Sequence, residues 1–378
     1  MMTRRERLMS SLLGKPVDRP PVNFYEINGF DENPADASPY NIYAHPSWKP
    51  LLDLTRTRTD TIVMRNVGIR NAQPHAHAPF TTVVTEETPT CRLVTRTVRA
   101  GGRVLTERTR EDRDVRTVWT LEHLLKDADD LRAWLSLPPP VFSGEPDTQR
   151  VLETEAALGD AGIVMIDTAD PICCAAQLFE MGTYTIMATT EPELFQETLA
   201  RFAAVLQPRT EAIARALPGR LWRIYGPEYA SVPYLSPRLF HDYVVRHDKP
   251  MVEAIQRHGG YARLHCHGNL KAILDNMVST GCSALDPLEP PPQGDITLAE
   301  VRRRYGRNLT LFGNLEISDI ESLTTAEMEQ KVHTAIGEGT GGEGRGFVLM
   351  PTACPYGRVL PDQTLRNYEA IVRIVESL

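Results

Sequence analysis

Long apolar runs are missing from this chain. Nowhere do the roughly 18–20 consecutive apolar residues of a membrane helix occur, which excludes a spanning helix. The basic opening, residues 1–15, lacks the apolar stretch and small-residue cleavage site of a secretory signal. Its Leu8, Leu12 and Leu13 recur at helical spacing, so it reads as an amphipathic helix. Cysteine is scarce, six in 378 residues with no disulfide-framework spacing, and this points to a reducing, cytoplasmic setting. Positive charge is also short. With 41 Lys and Arg against 49 Asp and Glu, the formal net charge is −8. A general affinity for nucleic acid or anionic membrane is thereby excluded. The Arg302-Arg303-Arg304 run lies on a helical pattern and reads as a solvated face. Internal repeats and low-complexity tracts are absent.

What is present is an ordinary share of core-forming residues, 42% hydrophobic, distributed in a regular alternation. Eight short apolar runs, at 21–27, 61–67, 162–167, 221–225, 261–265, 284–288, 309–312 and 347–350, are separated by helical patterns. Eight strands with intervening helices predict an α/β fold, a closed (β/α)8 TIM barrel forming a single domain over residues 1–378. Helix starts are legible in Ser236-Pro237 and in the capping-box pair Thr324 and Glu327. Residues 192–216 read as one or two helices, with Pro208 as a break or first-turn residue. Residues 81–116 stand outside the alternation. Their period-two runs flank Gly101-Gly102 and predict an inserted β-hairpin, a lid, an oligomer contact or a plain surface excursion. The proline-rich stretches 137–141 and 289–293 read as stiff loops.

In a barrel the chemistry sits where strands end, and polar residues follow these runs one after another. Glu26 and Asn28 end the first, Arg65 the second, Asp167 and Asp170 the third. Glu228 follows the fourth, and His265 and His267 end the fifth. Asp286 and Glu289 bracket the sixth, Asn314 and Glu316 follow the seventh, and Cys354, Tyr356 and Arg358 follow the eighth. Residues i and i+2 of an extended chain face the same side, so His265 and His267 converge. Two imidazoles and the Cys354 thiolate suit a zinc ion; a hydrogen-bonded, partly buried pair of histidines is the other reading. Glu228 reads as ligand, general base or helix cap. Asp167 and Asp170 read as orienting acids or N-caps. Arg65 and Arg358 read as carboxylate clamps or inter-loop ion pairs.

The opening Arg5-Glu6-Arg7-Leu8 and Val17-Asp18-Arg19-Pro20-Pro21, the Gly226-Pro227-Glu228 turn, the His265 to Asn269 block, Leu288-Glu289-Pro290, Gly313-Asn314-Leu315-Glu316 and the closing Cys354 segment resemble the uroporphyrinogen decarboxylase-like superfamily. The resemblance implies a (β/α)8 barrel and one of two chemistries. One is cofactor-free decarboxylation of uroporphyrinogen; the other is zinc-dependent methyl transfer involving a corrinoid protein and a thiol. Residues 23–30 contain no arginine, so the carboxylate clamp of the porphyrinogen decarboxylases is missing. Matching the methyltransferase pattern residue by residue, His265 and Cys354 fall on ligand positions, while His267 stands where that branch has cysteine. Imidazole in place of thiolate would leave the metal more positive and more Lewis-acidic.

The resemblance thus implies a zinc-dependent methyltransferase. Zn2+ would sit on His265, His267 and Cys354, with Glu228 and Asp167 as catalytic groups. Glu26, Asn28, Arg65, Asp286, Glu289, Asn314, Tyr356 and Arg358 would line the substrate pocket. A corrinoid on a separate protein and a homodimeric partner are further expectations. The alternatives are a metal-independent decarboxylase or lyase acting on a small carboxylic acid, and a non-catalytic ligand-binding barrel.

Overall fold

A computed structural model of the chain describes residues 2–341 and 346–378. Seven parallel strands form one curled sheet, in the order β1 (Thr61–Arg65), β8 (Gly162–Ala169), β9 (Leu221–Tyr225), β10 (Tyr261–Cys266), β11 (Ala284–Pro287), β12 (Thr310–Leu315) and β13 (Phe347–Pro351). Helices link successive strands, as parallel pairing requires, and the arrangement is that of a TIM-like fold. β2 (Gly68–Arg70) and β7 (Glu145–Asp147) pair separately.

The run at 21–27 is not a strand. Val22 makes a single parallel bridge to Leu349, and its carbonyl accepts from the Asp60 amide at 2.7 Å. Pro20 and Pro21 have no N–H to give a ladder. Beyond Val22 the chain turns: the Asn23 carboxamide accepts from the Tyr25 amide at 3.0 Å, and Tyr25 has φ +54°. In place of one hairpin over 81–116, four antiparallel strands run on to Glu122: β3 (Thr81–Glu87), β4 (Cys91–Ala100), β5 (Arg103–Asp112) and β6 (Val118–Glu122). Gly101 and Gly102, both at positive φ, make the turn between β4 and β5. The connection before β6 is tied to the end of the chain by a Val115–Gly357 bridge. This excursion therefore delivers residues to the same rim as the strand ends.

The helix Arg4–Leu12 starts in a capping box made by Thr3 and Glu6. Its Leu8 and Leu12 pack with Ile62, Ile163, Met165, Leu221, Phe312 and Val348, which alternate along the strands and face the interior of the curled sheet. The expected caps at Ser236 and Thr324 are present. Pro208 is accommodated inside one continuous helix, Pro192–Ala216. No helix among the described residues is long and apolar enough to cross a membrane.

Asp60, fully buried, fastens the opening segment to β1. Its carboxylate accepts from Arg7 at 2.6 Å, Arg19 at 2.9 Å and the Val22 amide at 2.9 Å. Asp60→Ala takes the acceptor from the Val22 amide and from one nitrogen of buried Arg7, which keeps Asp18, so unfolding in urea should show a loss of about 2–4 kcal/mol. A loss under about 1 kcal/mol, the size of an exposed pair, would mean the fastening is unimportant.

Candidate active site

The alternation that fills the interior with apolar side chains turns polar toward the strand ends. β8 runs Ile163, Met165, Asp167; β9 runs Leu221, Arg223, Tyr225; β10 runs Tyr261, Arg263, His265. Strand register then sets the contacts. Asp167 is level with Arg223, Arg223 with Arg263, and His265 with Asp286.

Asp167 holds Arg223 in a bidentate pair at 2.7 and 3.0 Å. Arg223 also donates to the Tyr25 hydroxyl at 2.6 Å and lies 3.5 Å from Glu26. The Tyr25 hydroxyl meets His265 Nε2 at 3.3 Å. On its other side, His265 Nδ1 meets Asp286 at 2.8 Å. The second Asp286 oxygen lies 3.0 Å from Arg263, close enough for an ion pair but not aligned for a hydrogen bond. Burial pushes the Asp286 carboxyl up, yet the charges of Arg263 and His265 outweigh it and hold it below its ordinary value.

His267 repeats the motif nearer solvent. Its Nδ1 meets Glu289 at 2.7 Å, and the other Glu289 oxygen accepts from the Gly268 amide at 2.6 Å. Gly268 adopts φ +86°, a turn that favours glycine. The two imidazoles are edge to face, 4.6 Å between centroids. A third of the His267 side chain, 34%, stays exposed. Burial works against its charged form, but the hydrogen bond and charge of Glu289, with the charges of Glu228 and Asp286, raise its pKa above 6.5.

A zinc ion on His265, His267 and Cys354 is tested by these placements. Both nitrogens of His265 are engaged. The Cys354 thiol lies 3.9 Å from the Phe24 carbonyl oxygen, and burial, aided by the Glu26 charge, pushes it up to about 12. Among the described residues, no group of three or more His, Cys, Asp or Glu side chains is arranged to hold a metal ion. As placed, the residues do not fit the metal.

The remaining sequence-marked residues divide. Glu26, Asn28 and Asp167 line a cavity of about 330 Å³ beside Arg223. Arg65 is buried and spent on Asp31, with 2.8 Å contacts to both oxygens, and on Thr154. Glu228 folds back to accept from the Gly226 amide at 3.0 Å. Asn314 donates to the Leu288 carbonyl at 3.1 Å. Arg358 ties loops together through the carbonyls of Pro39, Asn41 and Arg113, and Tyr356 is 55% exposed; neither lines that cavity. Sequence reasoning passed over Tyr25, Arg116, Arg223 and Arg263. For the two strand residues the signal was there, an arginine inside an apolar run at the parity of the inward-facing positions.

The uroporphyrinogen decarboxylase (URO-D) profile matches residues 153–378, more than half the chain. The chain belongs to this family. Among solved structures, a methyltransferase from Methanosarcina mazei aligns over 100% of this chain and 99% of its own, at TM-score 0.61 and 16% identity. This likeness shows a shared fold. A muconate lactonizing enzyme from Pseudomonas putida aligns over 78% and 76% at 10% identity, with a TM-score of 0.22 too low to carry an argument. No curated protein matches the sequence.

The electrostatics of the site can be tested at two places. Glu289→Gln removes the main support of the His267 charge, so the His267 pKa, followed by NMR titration, should fall. The ion pair's stabilisation is complete below 6.5 and is lost as pH climbs through the raised folded value; the variant should lack this loss. Behind the site, Asp170 caps a helix by accepting from the Cys173 amide at 2.7 Å. It is fully buried, as is Asp248. Burial raises both carboxyls, aided at Asp170 by the charge of Asp248 and at Asp248 by that of Glu228, so ionising them costs stability as pH rises above 3.8. Asp248→Asn should be the more stable protein in urea, by a margin that widens with pH; a constant margin would sink the idea.

Proposed function

We propose that this URO-D family member is a demethylating methyltransferase. It takes a methyl group from a small methylated substrate and passes it to an acceptor on a separate corrinoid protein. The observation that carries this reading is His267, an imidazole anchored by a carboxylate at Nδ1 with a third of its side chain exposed. The acceptor attacks the methyl carbon, and the bond from that carbon to its heteroatom breaks. The electron pair passes to the heteroatom, which takes a proton from His267 Nε2, and solvent restores that proton. Glu289 stabilises the imidazolium before transfer, and His265, locked between Tyr25 and Asp286, fixes the neighbouring wall. The fold shared with the methyltransferase from Methanosarcina mazei supports this choice. We also read the Val22 bridge and the Asp60 fastening as the closure of a complete barrel.

Decarboxylation, which the family's description favours, is the second reading. Its weakness here is the state of the arginines. Arg65, Arg223 and Arg263 already answer Asp31, Asp167 and Asp286, which leaves them poorly placed to clamp a substrate carboxylate, and Arg116, which lines the cavity, is a single further guanidinium among five acids.

The test is turnover of methylamines and methoxylated aromatics with free reduced cobalamin as acceptor. His267→Gln should lower kcat by about 10²–10⁴-fold, the worth of a positioned acid. Because the imidazolium is the active form, activity should fall as pH rises through the raised His267 pKa. Glu289→Gln should shift that fall to lower pH. Carbon dioxide release from carboxylated substrates, or an unchanged rate in His267→Gln, would overturn the proposal.

A further inference from the structure

The cavity beside Arg223 has a charge imbalance. Five of its lining residues are acidic: Glu26, Asp31, Glu32, Asp36 and Asp167. Asp167 is answered by Arg223, which also lies 3.5 Å from Glu26, and Asp31 by Arg65. Arg116 reaches the cavity from the connection before β6, where it bonds the Tyr43 hydroxyl. It makes no ion pair among the described residues. Counting Arg116 in full, the carboxylates still outnumber the guanidinium groups by two.

A second observation singles out one of these acids. Glu32 is only 7% exposed. One of its oxygens accepts from the Asn28 amide at 3.1 Å, and the other has no hydrogen-bond partner among the described residues. A buried carboxylate oxygen left in that state is costly. Burial accordingly raises the Glu32 pKa, and a cation beside the carboxylate would offset that cost. The wall also carries Met64, a polarisable surface suited to methyl groups on a cation, while the Tyr43 ring already has Arg116 over it at 5.2 Å.

We propose that this cavity binds a small organic cation, a methylated ammonium compound, with Glu32 as its buried counter-charge and Glu26 and Asp36 as outer ones. A metal ion does not suit it, because no three of these side chains converge on one point among the described residues. The inference names the substrate class of the proposed methyl transfer and rests on that reading for its catalytic meaning, while binding can be measured without turnover.

Calorimetric titration of the full chain would use choline, its uncharged isostere 3,3-dimethylbutan-1-ol, methylammonium and acetate. Choline or methylammonium should bind at least about ten-fold more tightly than the neutral alcohol, a difference that a paired charge readily supplies. The preference should weaken with salt and be lost in Glu32→Gln. Asp36→Asn, at an exposed position where the carboxamide oxygen can still accept from the Ser38 amide, should reduce the preference several-fold. Equal binding of the alcohol, tighter binding of acetate, or no binding of either ammonium compound would overturn the proposal. Ammonium binding without methyl transfer would sink the function proposed above and leave this one standing. Transfer without an ammonium preference would do the reverse.

Discussion

A carboxylate removed from water costs several kcal/mol unless cations and hydrogen bonds answer it. Asp286 is fully buried, and its answer comes from two directions, Arg263 and His265. Arg263 is itself buried at the centre of the sheet, stacked 4.7 Å over the Phe312 ring. His265 passes the constraint to the Tyr25 hydroxyl, Tyr25 to Arg223, and Arg223 to Asp167. Each group in this chain is placed by the need to satisfy the one before it. The strand register makes the pairing geometrically available, because Asp167 and Arg223, and His265 and Asp286, are level on adjacent strands.

That dependence explains which features were readable from sequence. Strand parity alone puts Asp167, His265 and Asp286 on the inner side near the strand ends, and all three belong to the network. The same parity holds for Arg223 and Arg263, in LWRIY and YARLH, where a charge inside an apolar run has to find a buried partner. Tyr25 and Glu32 were illegible for a different reason. They lie on the irregular stretch that follows Val22, where no period fixes a side chain's direction and the Asn23 turn decides it. Arg116 was illegible because its placement depends on a bridge between Val115 and Gly357, residues more than two hundred positions apart.

The zinc expectation drew on residue type and spacing, and spacing could not see competition for the same nitrogens. The i and i+2 relation does bring the imidazoles together, with ring centroids 4.6 Å apart. Each Nδ1 also meets a carboxylate, an arrangement that serves metal ligands and proton donors alike. The two uses part at the remaining atoms. Tyr25 takes the Nε2 of His265, and the turn holding Tyr25 is the one whose Phe24 carbonyl meets the Cys354 thiol. One short segment thus occupies two of the three expected ligands, and its conformation rests on local hydrogen bonds that residue spacing does not report.

Two imidazoles of similar surroundings therefore divide the labour. His265 is buried, with one nitrogen on a carboxylate and the other on a hydroxyl that Arg223 also binds. Moving a proton through it would unbalance the whole buried network. His267 has the same kind of carboxylate at Nδ1, but a third of its side chain reaches solvent, so water can restore a proton it gives away. The site combines a rigid member that shapes the pocket with a titrating member at its edge. Glu289 raises the proton affinity of that outer ring, and because it also holds the Gly268 amide it does so without letting the ring turn. The outer histidine meets both demands on a general acid, a proton affinity raised by its carboxylate and a route for renewing the proton.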